Sequence, residues 1–156
     1  MSWHRESSAL LRVDRAALWA AIRDVGGWPQ WCGGLSDARP SSDGAAVDLV
    51  PSGLVGAVHR RTAPAALVLR DESGRIVVEQ PQPGGCTRVT LSIEADDGRD
   101  DEVWRLRQVV EVEGPLVLLA QRGLALPLAR GFPDDVMRLN ALLAAQGGAR
   151  PAPDPA

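Results

Sequence analysis

The polar run His59-Arg60-Arg61 is the densest on any strand that the sequence predicts. Side chains alternate between the two faces of a strand, so Arg60 shares a face with Val58, and His59 shares the other with Arg61. At least one arginine therefore points where its neighbours are apolar. An inward guanidinium could polarise a ketone or hold an enolate, as an aldol-type cyclisation requires, and an inward His59 could shuttle the proton. The pattern leaves open the alternative that this charged face is solvated and pairs with acids on a neighbouring strand.

Three other polar residues share strand faces with apolar neighbours, namely Asp71, Gln80 and Gln108. An inward polar group must find a partner or water, because leaving it unsatisfied costs about 1–3 kcal/mol. All three are therefore candidate ligand contacts. Asp71 and Gln80 also fit strand ends at a solvated rim, whereas Gln108 lies in mid-strand.

Aromatic and apolar residues complete the candidate ligand site. Trp28 and Trp31 either cap a cavity and stack on a planar ligand, or anchor the core. A stripe along the C-terminal helix has the spacing of a buried face, with core packing as its default interpretation. Its members are Phe132, Val136, Leu139, Asn140 and Leu143. We take Phe132, Val136 and Asn140 as ligand contacts, and the Asn140 amide needs a partner if it is buried.

A sheet and several helices must bring these side chains together. The sequence predicts a helix from Arg15 to about Asp24 and one helical turn or tight loop over residues 28–34. It also predicts a short first strand over residues 10–13 and seven further strand-like runs. These runs are 35–39, 46–50, 54–62, 66–71, 75–80, 87–95 and 103–112. The last two alternate most clearly, as a half-solvated antiparallel sheet requires.

The largest apolar segment runs from Gly114 to Ala144 and is predicted to form a long C-terminal helix that covers the sheet. Pro127 and Pro133 predict a kink or a split over residues 126–132, because proline disrupts the interior of a regular helix.

The residues after that split suit a renewed helix. Pro133 with Asp134 and Asp135 fits a first helical turn, where a missing N–H and negative charge are both tolerated. Residues 147–156 lack apolar periodicity and are expected to form a disordered tail. Residues 1–146 are then one domain.

Composition excludes several classes of chemistry. All 17 basic residues are arginine, tyrosine is absent and there are only two histidines. These counts exclude a Schiff-base lysine, a phenolic acid or base and a histidine-rich metal centre, and we expect neither metal nor cofactor. The net charge of −3 without a basic stripe does not favour nucleic acid as a partner.

The chain also carries no obvious signal for secretion or for a membrane. Its N-terminus has no apolar h-region, and the apolar run after Gly114 is interrupted by Gln121, Arg122 and Pro127 well short of the roughly 20 residues that a bilayer needs. We therefore expect a cytoplasmic protein whose two cysteines do not form a disulfide. The sequence leaves the oligomeric state open, a homodimer included.

Several short motifs resemble those of the START-like polyketide cyclase/dehydrase superfamily, which is related to the Bet v 1 fold. They open the first helix, enclose the tryptophan pair, form a turn between strands, begin a strand and precede the last helix. The matching segments are Ala17-Leu18-Trp19 with Asp24-Val25, Trp28-Pro29-Gln30-Trp31, Ala63-Pro64-Ala65-Ala66-Leu67, Gly85-Cys86-Thr87-Arg88-Val89-Thr90 and Glu113-Gly114-Pro115-Leu116.

The resemblance implies an α+β helix-grip fold. In it, a seven-stranded antiparallel sheet wraps around a long C-terminal helix, and two short helices follow the first strand. It also implies an apolar cavity that takes a hydrophobic, polyketide-like or aromatic molecule, with cyclisation or dehydration in secondary metabolism as one activity. A non-catalytic lipid or isoprenoid carrier or sensor is the alternative, and a protein-binding module is a third.

Overall fold

One antiparallel sheet and a long helix make up most of the computed structural model, which describes residues 2–43, 46–53, 65–70, 74–82, 84–96, 102–115 and 125–147. The strands are β1 (Ser2–Arg12), β2 (Leu35–Pro40), β3 (Ala46–Pro51), β4 (Ala65–Arg70), β5 (Arg75–Gln82), β6 (Gly85–Ala95) and β7 (Val103–Glu113). The helices are α1 (Arg15–Arg23), a 3-10 helix (Val25–Gln30) and α2 (Leu126–Ala145).

The seven described strands lie in the order β1-β7-β6-β5-β4-β3-β2, and each neighbouring pair is antiparallel. The α2 helix packs against β1 and β7. This arrangement confirms the predicted α+β class, with an antiparallel sheet and a C-terminal helix. The strand predicted over residues 54–62 lies outside the described residues, as does the tail after Gly147.

The alternation predicted for β6 and β7 is confirmed. In their register Val89 lies opposite Val110 and Ile93 lies opposite Leu106, and all four are at most 4% exposed. Their apolar residues therefore form the inner face of the sheet, towards α2. The residues between them form the outer face, where Arg107 binds Glu6 with two nitrogen–oxygen distances of 2.7 Å.

The outer face also holds Arg88, whose Nε lies 2.6 Å from Glu79 and whose Nη1 lies 3.6 Å from Glu111. These arginines pair with acids on neighbouring strands, which is the arrangement expected of a charged and solvated strand face.

Strand β1 is much longer than predicted. It pairs with β7 from Ser2 to Arg12, whereas the sequence pattern predicts a strand only over residues 10–13. The prediction failed because β1 lies at the edge of the sheet and most of its side chains are exposed, so residues 2–9 show little apolar alternation.

The first helix is confirmed. Asp14 caps it by accepting a hydrogen bond from the Ala17 N–H at 2.8 Å, and its buried face carries Leu18 and Ile22, which are both 0% exposed. The predicted helical turn after it is a 3-10 helix that starts earlier, at Val25. Its own N-cap is Asp24, which accepts from the Gly27 N–H at 3.2 Å.

Of the kink or split predicted over residues 126–132, the split is wrong, because α2 continues from Leu126 to Ala145 with Pro133 inside it. Pro127 lies in the first turn, where the missing N–H costs little. Packing of one continuous buried stripe against the rest of the molecule outweighs the hydrogen bond that Pro133 cannot make. Neither α2 nor any other described helix is both long and apolar enough to cross a bilayer.

Candidate functional site

Gln108 lies in the middle of the inner face of the sheet. On β7 it stands between Leu106 and Val110, and its cross-strand neighbours are Leu91 on β6 and Ser7 on β1. The Gln108 side chain is 3% exposed, and the two β7 neighbours are 0% exposed. The sequence prediction that this amide points inwards among apolar residues is therefore confirmed.

The amide of Gln108 has an unmet hydrogen-bonding requirement. Its Oε1 is fully buried and accepts no hydrogen bond. Leaving such an acceptor unmatched costs about 1–3 kcal/mol, so buried polar groups normally have a protein, water or ligand partner. On the described inner face, Gln108 Oε1 is consequently the atom at which a hydrogen-bond donor on a bound molecule would add most to the binding free energy.

Gln80 is also an inner-face residue. It is 9% exposed on β5 and lies opposite Thr87 on β6, which is 1% exposed. The alternative that Gln80 sits at a solvated strand end is therefore wrong, because β5 continues to Gln82. Thr87 in turn lies opposite Val112. Val112 is four residues along β7 from Gln108, so the two polar points are separated by about 13 Å in the strand direction.

Trp28 and Trp31 are core anchors. They are 2% and 3% exposed, and their ring centroids lie 6.0 Å apart at an interplanar angle of 58°. The Trp28 indole N–H donates to the Ile22 carbonyl at 2.9 Å, so its one polar group is already bound. Of the two alternatives in the sequence analysis, the structure supports anchoring of the 3-10 helix to α1.

One predicted member of the buried stripe on α2, Asn140, does not belong to it. Phe132 and Leu139 are buried and Val136 is half-buried, but Asn140 is exposed. Successive residues of an α-helix are rotated by about 100° around its axis. Asn140 therefore points about 100° away from Leu139 and lies outside the buried stripe. The prediction that Asn140 lies on the buried face of the helix is therefore wrong.

Asp135 is a buried polar residue that is absent from the predicted stripe. It is 1% exposed and lies in the α2 stripe between Phe132 and Leu139. Asp135 was predicted in the first turn of a new helix. Because α2 begins at Leu126, the carboxylate instead lies in mid-helix, where the helix dipole gives it little support. The i, i+3, i+7 spacing of residues 132, 135 and 139 was the signal available.

The carboxylate of Asp135 joins α2 to the loop after the 3-10 helix. Its Oδ1 accepts from the Gly33 N–H at 2.8 Å, whereas its Oδ2 is fully buried and accepts no hydrogen bond. Burial raises the pKa of this carboxyl, against the opposing effects of the Gly33 N–H, the Cys32 thiol and Arg138. Burial, together with the neighbouring Asp135 charge, also raises the pKa of the Cys32 thiol.

Two glycines allow this loop to approach α2 closely. A Cβ at Gly33 would lie 2.0 Å from Nη1 of Arg138, and a Cβ at Gly34 would lie 3.1 Å from Cδ2 of Leu128. A side chain at position 34 would crowd Leu128, whereas the Arg138 guanidinium beside Gly33 ends an exposed, flexible side chain that can move aside. The loop thus brings the Gly33 N–H to Asp135, which is 102 residues away in sequence.

Two surface depressions are lined by described residues. One of about 290 Å³ lies between α1 and the C-terminal end of α2, with Trp31 in its wall. The other, of about 440 Å³, lies on the outer face of the sheet, where Arg75, Thr90 and Arg107 contribute to it. Neither is lined by inner-face residues of β5, β6 or β7. In the described part of the chain, no three His, Cys, Asp or Glu side chains cluster as metal ligands would.

The predicted catalytic residues His59, Arg60 and Arg61 lie outside the described residues, and so does Asp71. Of the predicted ligand contacts, the structure places Gln80, Gln108 and Phe132 among buried residues and Val136 at a half-buried position.

Solved structures with the same architecture identify the fold. The chain aligns with the Zhui aromatase/cyclase from Streptomyces sp. R1128 at a TM-score of 0.68 and 13% identity, over 96% of this chain and 98% of that one. It aligns with a START superfamily protein from Mycobacterium smegmatis at a TM-score of 0.62 and 12% identity, over 92% and 98% of the two chains.

A third similar structure is norcoclaurine synthase from Thalictrum flavum in complex with dopamine and hydroxybenzaldehyde. Its TM-score is 0.62 at 10% identity, over 93% of this chain and 88% of that one. No family model and no curated protein sequence matches the chain. The chain has the START-like, Bet v 1-like fold, as its sequence motifs indicated.

Proposed function

We propose that this chain, which has the START-like fold, binds a hydrophobic small molecule of polyketide-like or aromatic type between the inner face of its sheet and α2. The observation that carries the proposal is the Oε1 of Gln108, a buried acceptor without a hydrogen bond at the centre of an apolar face. A hydroxyl on the ligand would satisfy it, because a hydroxyl can donate to Oε1 and accept from the amide nitrogen.

The remaining proposed contacts are apolar or neutral. Phe132 and Val136 would supply apolar surface from α2, and Gln80 with Thr87 forms a second polar point on the inner face. The three similar structures include an aromatase/cyclase and a synthase in complex with aromatic molecules, which supports an aromatic guest. We place this activity in the cytoplasm and in secondary metabolism.

Catalysis of cyclisation or dehydration is the stronger form of this proposal. His59 would move a proton and Arg60 or Arg61 would stabilise an enolate, without metal or cofactor. Loss of turnover in Arg60→Ala or Arg61→Ala with ligand affinity retained would support it. Equal affinity with no turnover of any offered polyketone would leave only binding.

The second candidate is a carrier or sensor for a lipid or isoprenoid. It is favoured by the chemistry of the described inner face, because β5, β6 and β7 place no titratable side chain there. Native mass spectrometry of freshly purified protein would identify a co-purifying molecule and so separate the two candidates.

A matched pair of probes tests the role of Gln108. Binding of each probe is measured by its displacement of bound 1-anilinonaphthalene-8-sulfonate. We expect the dissociation constant of 2-naphthol to be about 2- to 13-fold lower than that of naphthalene, which is the range of one net hydrogen bond. Gln108→Leu should remove this preference and keep the affinity for naphthalene. Failure of the protein to bind the dye or either probe would refute binding itself. Equal affinities in the unsubstituted protein would refute the hydroxyl contact alone.

A further inference from the structure

Among the described residues, strand β1 is paired along only one of its two edges. It is the first strand in the sheet order, it pairs with β7 along its whole length, and no described residue makes a backbone hydrogen bond to its other side. Its eleven residues contain no proline, and the register with β7 has no shift. Proteins usually protect a long edge strand with prolines, bulges or a covering element, since its unpaired N–H and C=O groups attract another strand.

The side chains of β1 are also accessible to a partner. Leu10 is 53% exposed, and among the described residues only Met137 is another exposed large hydrophobic. The other exposed residues of the strand are Ser2, His4, Arg5, Glu6, Ser8 and Arg12.

We propose that β1 pairs with β1 of a second copy of this chain, antiparallel about a two-fold axis at Ser7, so that one sheet runs through both copies. This is the register in which all eleven residues of each strand are paired, with Ser2 opposite Arg12. Residues that face each other lie on the same side of the sheet, so the register can only change by an even number of positions.

The charges on β1 select the same register. In it, Glu6 lies opposite Ser8 of the second copy, Arg5 opposite Ala9 and Arg12 opposite Ser2, so no like charges lie directly opposite each other and the two Glu6 are only diagonal neighbours. Centring the pair on Glu6 instead would place two carboxylates directly opposite, which destabilises a strand pair. Centring it on Ser8 would place His4 opposite Arg12 and leave residues 2 and 3 of each strand unpaired. A closed two-fold pair is also the commonest symmetry of soluble oligomers.

Opposite charges at position 8 give the first test. Ser8→Glu places a carboxylate opposite Glu6 of the second copy, twice by symmetry, and Ser8→Arg places a guanidinium there. We expect the dimer dissociation constant, measured by analytical ultracentrifugation, to rise about 2- to 30-fold for Ser8→Glu and to fall by a similar factor for Ser8→Arg.

Within one copy the two substitutions have the opposite effect on the stability of the β1–β7 pairing. Ser8 lies beside Arg107 in the β1–β7 register, so Ser8→Glu gains an attractive neighbour and Ser8→Arg a repulsive one. Loss of the β1–β7 contact would therefore not explain a weaker Ser8→Glu dimer. Shifts of the dissociation constant in the same direction for both variants would overturn the proposed register.

A cysteine at the two-fold axis gives the second test. Facing Cα atoms in an antiparallel pair are about 4.5–5.5 Å apart, which is within the range of a disulfide. Ser7→Cys should therefore form a covalent dimer on mild oxidation, in a Cys86→Ser background. Ser2→Cys is the matched control, because the two Ser2 residues would lie about 34 Å apart. A chain that stays monomeric at 200 µM, or equal cross-linking of Ser7→Cys and Ser2→Cys, would overturn the proposal.

Discussion

Asparagine at position 135 removes a negative charge from a site that is 1% exposed, while it keeps an oxygen for the Gly33 N–H. The ionised carboxylate leaves Oδ2 buried without a hydrogen bond, which costs about 1–3 kcal/mol and more for a charged group. The neutral amide has a lower desolvation cost, which is the largest effect on this carboxyl and outweighs the lost contributions of the Cys32 thiol and of the Arg138 guanidinium 3.9 Å away. We expect Asp135→Asn to raise the free energy of unfolding at pH 7 by about 1 kcal/mol, a gain of about 2–4 °C in Tm.

The pH dependence follows from the direction of the pKa shift. Burial raises the pKa of Asp135 in the folded chain above its ordinary value of 3.8, so the folded state holds this proton more tightly than the unfolded state. The contribution of Asp135 to stability is therefore fully present below pH 3.8 and is lost as the pH rises through the folded pKa. The advantage of Asp135→Asn over the unsubstituted protein should grow as the pH rises through this window and then stay constant.

Urea unfolding between pH 3.5 and pH 8, followed by tryptophan fluorescence, measures this difference. Asp134→Asn is the matched control, since Asp134 is the exposed neighbour of Asp135 on α2 and its charge is solvated. Glu6, whose pKa is lowered first by its hydrogen bond to Arg107, titrates equally in all variants and cancels in the difference. An Asp135→Asn variant that is less stable at pH 7 than at pH 4, relative to the unsubstituted protein, would refute the argument.

Two further predictions concern thiols and close backbone contacts. Iodoacetamide at pH 8 should modify half-buried Cys86 well before Cys32, because burial raises the pKa of the Cys32 thiol. In urea the two cysteines should react at similar rates. Rapid labelling of Cys32 in the folded protein, measured by mass spectrometry, would contradict this. Gly85→Ala should destabilise the chain by about 1–3 kcal/mol in urea unfolding, because its Cβ would lie 1.9 Å from the Glu113 carbonyl oxygen. Gly26→Ala, with a nearest contact of 3.5 Å, is its control and should change stability much less.

The sequence predicted those parts of the fold in which local pattern and burial agree. Strands β6 and β7 alternate because one face is solvated, so the inward direction of Gln108 could be derived from Leu106 and Val110 alone. The capped first helix was equally clear, since Asp14 precedes an apolar stripe. The edge strand β1 was largely missed, because exposure removes the apolar period from which a strand is recognised.

The composition and periodicity of this chain specify an antiparallel sheet with one apolar face and a C-terminal helix that covers it. Only the tertiary structure decided which polar residues became buried. Asp135 depends on a loop that is 102 residues away, Asn140 is exposed because α2 buries the face that carries Phe132, Asp135 and Leu139, and α2 stayed continuous through Pro133. Local sequence specifies the faces of an element, but contacts between distant segments set how far each face is covered, and their burial energy can outweigh a local preference.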